Sequence, residues 1–327
     1  MLDRTRRPAC LVLLVALACA PQARPEAAPP PPPPPPAQWA APGGELATQV
    51  ARAKGWGWLV EKLVTDGQDR VRVAEAFADP GLPDFDVLFF RVDPRESHAL
   101  YRGLLREGSV AAARECRAEN SAAFEAAEQA TGVSADVIAA ILHVETHCGR
   151  NTGSSVVLYG LARLAMANEP ANVEANVART ATQDGVVDEE LAARVRARAA
   201  QLEEIFYPEV IGTFVVAERL GIGPLELTGS PSGAFGTPQF LPTSYLRFGI
   251  DANGDGRVDL YDLPDAAASA GRFLAEYGWK PDLGREEQRG VIWNYNRSDA
   301  YIDTVLAIAA RIASSPDVAA GPLEAGQ

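Results

Sequence analysis

The chain is short of positive charge. Over 327 residues it carries 30 Lys and Arg against 43 Asp and Glu, a net charge of −13. Nucleic-acid binding rests on basic patches that neutralise phosphates, so this balance argues against a nucleic-acid partner. Histidine is scarce as well, with three residues, and the one pair at helical spacing is His143 and His147. That pair does not make a zinc-protease site: the pattern needs His-Glu-x-x-His, and here Glu145 stands third, on the other side of the helix from both imidazoles. Long apolar runs are missing too. Leu11–Ala18 is apolar, but a transmembrane helix needs about 20 such residues. Cysteine is limited to four residues.

The short apolar run reads as a leader. Arg4, Arg6 and Arg7 precede it and Cys19 follows small residues. The start therefore resembles a bacterial lipoprotein signal, with residues 1–18 removed and Cys19 lipidated; an ordinary secretory signal cleaved nearby is the alternative. Both send the protein across the inner membrane, and loss of residues 1–18 takes the net charge to about −15. Residues 19–44 form a linker whose Pro29–Pro36 run adopts extended polyproline II, about 25 Å long. The expected layout is a periplasmic body held to the outer membrane by a lipid anchor. Cys10 leaves with the leader and Cys19 takes the lipid, so Cys116 and Cys148 remain. In an oxidising compartment they are a candidate disulfide, two separate buried thiols being the alternative.

The stretch around which the chain is organised is GVSADVIAAILHVETHCGR, Gly132–Arg150. Ser134 caps a helix starting at Ala135, with Asp136 in its first turn. Val137, Ile138, Ile141 and Leu142 recur on one buried face, Glu145 continues that face, and Gly149 is the expected stop. A carboxyl against an apolar wall loses hydration and holds its proton to higher pH, the preparation a general acid needs. A Glu turned to solvent or paired with Arg150 is the alternative.

Residues 45–120 read as a helical lobe with no chemistry that spacing justifies, interrupted by Asp84–Val92, a short apolar run fit for extended chain. Leu158–Met166 reads as a helix, Asp188–Glu204 as a solvated charged helix, and Phe206–Leu220 as an apolar one. SPSGAFGTPQFLPTSY, Ser230–Tyr245, is loop with a short helix near its end, and Gln239 offers amide donors and a carbonyl to an N-acetyl or hydroxyl group. Asp251–Asp262 has the spacing of a twelve-residue calcium loop: Asp251, Asn253 and Asp255 at positions 1, 3 and 5, Gly256 at 6, the Arg257 carbonyl at 7, Asp259 at 9 and Asp262 at 12. Asp at 12 replaces the usual Glu and shortens the reach. VIWNYNRSDAY, Val291–Tyr301, gathers Trp293, Tyr295 and Tyr301 beside Asn294 and Asn296, a combination suited to sugar rings and equally ordinary in a core.

In this order the stretches resemble the membrane-bound lytic transglycosylase B family, bacterial enzymes that cut peptidoglycan. VSADVIAAILHVETHCGR is similar to the family's catalytic helix, with Glu145 on the catalytic glutamate; SGAFGTPQFLPTSY and NYNRSDAY resemble its Gly-rich loop and its C-terminal substrate motif. The resemblance implies a mainly α, lysozyme-like helical fold with a helical N-terminal lobe (45–120) and a catalytic domain (121–315). That domain carries an insertion at about 169–200 and a small loop/β region with a single structural calcium site, and a tail follows at 316–327. It implies substrate contacts by Ser230, Gln239, Tyr295, Asn296 and Tyr301, and no organic cofactor. Cys148 departs from the family's Trp. The implied reaction cleaves the MurNAc-β-1,4-GlcNAc bond of glycan strands and leaves 1,6-anhydro-MurNAc ends, with one glutamate as acid and then base. A non-catalytic peptidoglycan-binding lipoprotein and a hydrolytic muramidase are the rivals.

Overall fold

The computed structural model describes residues 44–94, 96–181 and 185–314. The leader, Cys19, the proline run and the tail lie outside them. Within the described residues the chain is mainly α, and no helix is long and apolar enough to cross a membrane. Two compact units form: 44–92 with 162–207, and 93–161 with 208–314. Residues 93–120 group with the chain around Glu145, and residues 169–200 with the N-terminal helices.

The first unit contains α1 (Gly44–Ala53), α2 (Gly57–Thr65) and α3 (Arg70–Ala78). Gly55, at φ 86°, breaks what the sequence pattern presented as one helix into α1 and α2. Trp56, fully buried, lies against Phe77 and Phe85. Asp84–Val92 forms no strand. Two buried amides hold it instead: the Leu88 N–H donates to Asn172 Oδ1 (2.7 Å), and the Leu88 carbonyl accepts from Asn176 Nδ2 (2.9 Å).

The second unit begins with α4 (His98–Tyr101), α5 (Glu107–Glu119), α6 (Ser121–Thr131) and α7 (Ala135–Thr146). Then come β1 (Ser155–Val156) and α8 (Val157–Ala165), whose last residues pass into the first unit with α9 (Pro170–Ala178). The charged and apolar halves read separately in sequence form one helix, α10 (Glu189–Leu220), which carries Pro208 in its interior. The second unit resumes there and adds β2 (Thr228–Gly229), α11 (Pro242–Phe248), α12 (Leu263–Glu276), α13 (Arg285–Ile292) and α14 (Asp299–Ala313).

Helix α7 is the centre of this unit, packed by α5, α6, α12 and α14. Its burial is not a stripe: Val137 to Val144 are all buried, so the helix is enclosed on every side. Helix α12 contributes a small-residue run, Ala266 to Gly271, all buried. A Cβ on Gly271 would stand 2.9 Å from Thr131 Oγ1, so α6 and α12 meet at backbone distance. The only paired strands among the described residues, β1 and β2, run antiparallel with Ser155 opposite Gly229 and Val156 opposite Thr228.

Candidate active site

Ser134 caps α7 as its sequence suggested, accepting from the Asp136 N–H at 3.3 Å. The helix stops earlier than Gly149. His147 and Cys148 both take left-handed backbone, φ 51° and 56°, before Gly149 at 82°. Non-glycine residues seldom hold that conformation, and three ties fix it. The Cys148 N–H closes back on the Leu142 carbonyl (3.0 Å), a disulfide joins Cys148 to Cys116 on α5, and Thr146 Oγ1 accepts from the Gly149 N–H (2.9 Å). The Thr146 hydroxyl also donates to the Thr237 carbonyl at 2.9 Å, which docks the Gly-rich loop on the end of α7.

That loop is drawn in closely. A Cβ on Gly153 would stand 2.2 Å from the Gly229 carbonyl oxygen, so the chain leaving α7 and the start of the loop touch backbone to backbone. The Thr237 N–H donates to the Leu260 carbonyl (2.7 Å), which joins the loop to residues 251–262.

These elements enclose a cavity of about 390 Å³, lined among others by Glu145, Ser230, Gln239, Asn151, Leu100 and Leu104. Glu145 is the one carboxylate among its lining residues. Its Oε1 accepts from the Tyr301 hydroxyl at 2.7 Å, and its Oε2 is buried with no partner. Burial pushes its pKa up to about 8; the Tyr301 bond opposes this and the nearby Glu96 charge adds to it. The carboxyl therefore holds a proton at neutral pH.

The residues expected beside it divide into two groups. Ser230 and Gln239 line the cavity. Gln239, in left-handed backbone at φ 51°, spends its amide hydrogens on the Thr152 and Gly236 carbonyls (3.1 and 2.9 Å), which leaves its carbonyl for a ligand. Ser230 Oγ accepts from the Ala234 N–H at 3.1 Å, leaving its hydroxyl proton to donate. Tyr295, Asn296 and Tyr301 do not line the cavity but stand behind it. Tyr301 is fully buried and stacks on Tyr295 with ring centroids 6.4 Å apart; Tyr295 donates to the Pro238 carbonyl at 2.6 Å. Asn296 is buried with its Nδ2 unpartnered.

The sequence reading missed the wall formed by residues 96–109. Leu100, Leu104 and Ser109 line the cavity, and Tyr101, fully buried, meets Tyr301 edge to face at 6.1 Å. The sequence pattern read Tyr101–Ala113 as helix without marking it as part of a site; the structure ends α4 at Tyr101 and starts α5 at Glu107. His143, buried, lies 2.9 Å from Ser109 Oγ through Nε2, and burial holds its pKa down at about 4. That nitrogen is therefore occupied by a hydroxyl, away from any zinc geometry with His147.

The aspartate-rich loop is closed on itself. Asp251 accepts from the Gly254 and Gly256 N–H groups (2.7 and 2.8 Å), Asn253 Oδ1 from Asp255, Asp255 from Arg257 and Asp259 from Tyr261 (2.9 Å each). Asp262 accepts from Asn253 Nδ2 at 3.0 Å rather than closing on Asp251. The loop's anchor is a residue outside the twelve, Asp265. It is fully buried and accepts from the N–H groups of Ala252, Asn253 and Asp259 (2.8, 3.3 and 2.8 Å). The donor set is all oxygen, as calcium requires, but among the described residues no three His, Cys, Asp or Glu side chains converge on a metal position.

Known proteins are similar to this chain in sequence and fold. The sequence is 31% identical over 158 residues to membrane-bound lytic murein transglycosylase B of Escherichia coli K12, a match covering 48% of this chain and 35% of that protein. The chain thus spans about a third of the length of that relative. The fold is similar to the E. coli lytic transglycosylase SLT35, solved in complex with bulgecin A (TM-score 0.59, 20% identity, 79% of this chain and 92% of that one). The same enzyme has been solved in complex with calcium (TM-score 0.58, 21% identity, 81% and 92%). It is also similar to Pseudomonas aeruginosa SltB3, solved with NAG-anhNAM-pentapeptide (TM-score 0.56, 17% identity, 84% and 80%). Residues 58–289, which include the acid helix, the Gly-rich loop and the aspartate-rich loop, match the transglycosylase SLT domain, and the chain belongs to that family.

Proposed function

We propose that the protein is a lytic transglycosylase that cuts the MurNAc-β-1,4-GlcNAc bond of peptidoglycan with Glu145 as its single acid and base. The observation that carries this reading is a single carboxyl in the cavity, held through Oε1 by Tyr301 and without a partner at Oε2. Most glycosidases need two carboxylates, the second acting as nucleophile or activating water. With one, the substrate supplies the second function.

Glu145, protonated on Oε2, gives its proton to the glycosidic oxygen as the C1–O bond of MurNAc breaks. The 2-N-acetyl group stabilises the positive charge that develops at C1. The Glu145 carboxylate then takes the proton of the MurNAc C6 hydroxyl, and O6 bonds to C1 to close the 1,6-anhydro ring. The acid is restored and no water is consumed. Ser230 and the Gln239 carbonyl bind the sugar, Tyr301 orients the acid, and Tyr295 with Asn296 shapes the wall behind it. Family membership supports the reading, as does the anhydro-sugar peptide found in SltB3.

Periplasmic placement through a lipidated Cys19 is part of the proposal, supported by the leader pattern and by the membrane-bound character of the E. coli relative. A structural calcium at residues 251–262 is another part, supported by the oxygen donor set and by the calcium complex of SLT35.

The test is mass spectrometry of peptidoglycan digested by the purified protein and by Glu145→Gln. The parent releases anhydro-ended muropeptides. The variant binds peptidoglycan as well as the parent and loses turnover by about 10²–10⁴. Reducing ends would identify a hydrolase, and no products from the parent would identify a binder. Retained turnover in the variant would end the case for Glu145.

A further inference from the structure

Three free polar groups of the cavity already have a role in the proposed reaction: Glu145 Oε2, the Gln239 carbonyl and the Ser230 hydroxyl proton. Two further polar side chains line the cavity without one. His147 and Asn151 are both exposed, and neither makes a side-chain hydrogen bond to another described residue.

The turn after the acid brings these two together. The His147 N–H closes on the His143 carbonyl (2.9 Å), left-handed backbone at His147 and Cys148 reverses the chain, and the Asn151 N–H returns to the Thr146 carbonyl (2.9 Å). The next residue, Thr152, accepts from Gln239 Nε2 at 3.1 Å, so the turn also abuts Gln239. Left-handed non-glycine residues carry strain that surrounding structure must hold. The disulfide and the bond to Leu142 hold Cys148. The His147 ring lies edge to face on His143, 5.0 Å between centroids, and His143 is fixed in turn by Ser109 Oγ at 2.9 Å. The imidazole is thus oriented by a neighbour while its nitrogens stay unpartnered.

Partial burial of that ring and the Arg150 charge hold its pKa below the ordinary imidazole range, so near neutral pH one nitrogen carries a proton and the other accepts. The Asn151 amide also offers donors and an acceptor. A carboxylate would set negative charge against both acceptors. A secondary amide, with one N–H and one C=O, matches them. Leu100, Leu104 and Pro231 line the same cavity and supply aliphatic surface for a methyl group beside such an amide.

We infer that His147 and Asn151 form an amide-binding subsite of the cavity, which takes a secondary amide of the glycan strand: the N-acetyl group of a sugar or an amide of a stem peptide. The inference rests on the cavity holding peptidoglycan, as proposed above, and its test separates the two. Dissociation constants are measured by calorimetry for soluble glycan strands that carry stem peptides and for strands stripped of them by an amidase, which keep only N-acetyl amides. Glu145→Gln is the background, so binding is read without turnover. His147→Phe, which keeps a ring against His143, and Asn151→Ala each weaken binding of the stem-bearing strands by about threefold to tenfold. His147→Gln, which restores a donor and an acceptor, stays near the parent. Weakening on both kinds of strand supports the subsite with the N-acetyl group as its ligand, and weakening on stem-bearing strands alone supports it with the stem peptide. In the protein with Glu145 intact, His147→Phe and Asn151→Ala raise KM by the same factor and lower kcat little.

Unchanged dissociation constants in both His147→Phe and Asn151→Ala overturn the inference, even if turnover falls. So does an equal loss in His147→Gln and His147→Phe, which marks a structural role for the ring. Weakened binding in these variants of a protein that releases no muropeptides supports the subsite and refutes the reaction instead.

Discussion

Glu145 and the aspartates of residues 251–262 are carboxyl groups on motifs legible in the sequence, yet their surroundings differ. Glu145 ends a helix enclosed on every side and has a single donor, Tyr301, with Oε2 bare. The loop aspartates face solvent or sit half-buried, and nearly every one takes backbone N–H groups from its own loop. Burial with few donors keeps a carboxyl neutral, whereas local donors and water keep one charged. The first region is prepared by tertiary packing and the second by the local path of the chain. The proposed acid chemistry depends on the first, and the proposed calcium site on the second.

The largest expected effect sharpens the boundary between these regions at Asp265, a fully buried carboxylate that serves the exposed loop. Three N–H groups, from Ala252, Asn253 and Asp259, end on it. Asp265→Ala leaves them unpaired, at about 1–3 kcal/mol per lost bond, so a loss of about 3–4 kcal/mol in urea unfolding is expected. Asp251→Ala, at the rim of the same loop, is expected to cost less than about 1 kcal/mol without calcium. Equal losses would mean that the loop is not hung from Asp265.

A smaller effect, of opposite sign, is expected at Glu145. Its folded pKa of about 8 stands above its ordinary 4.5, so the unfolded chain gives up this proton first as the pH rises. The folded protein loses stability between those two values and nothing below them. Glu145→Gln removes that loss. The variant should match the parent near pH 4 and exceed it at pH 8, by on the order of 2 kcal/mol once the open cavity side is discounted. A gain that does not vary with pH would show that burial does not hold the proton on Glu145.

The same contrast explains what the sequence could reveal. Helix α7, its Ser134 cap and its acid were legible because a helical period and a cap are local signals. So were the glycine-rich approach of residues 230–241 and the oxygen spacing of the loop. Tyr101 was not, because its place against the site arises from a ring contact with Tyr301, two hundred residues away. Tyr301 was found by resemblance, as a substrate contact; that its hydroxyl goes to Glu145 was not legible. The change from charged to apolar residues near 205 did not divide α10, which runs unbroken through it.

The smallest expected effect bears on the loop alone. Binding calcium relies on an Asp at position 12, whose side chain reaches less far than the usual Glu. That shorter reach weakens the site toward the range of extracellular calcium modules, a Kd of about 10⁻⁴–10⁻³ M. At about 1 mM calcium, mass action then stabilises the folded state by roughly 0.4–1.4 kcal/mol, a rise in Tm of a few degrees at most. Asp251→Ala should abolish the rise, and Glu145→Gln should leave it intact, since the acid and the loop meet only through backbone contacts at Thr237. If the melting curves in millimolar calcium and in chelator superimpose, the loop is held by its own hydrogen bonds and Asp265, and calcium has no place in it.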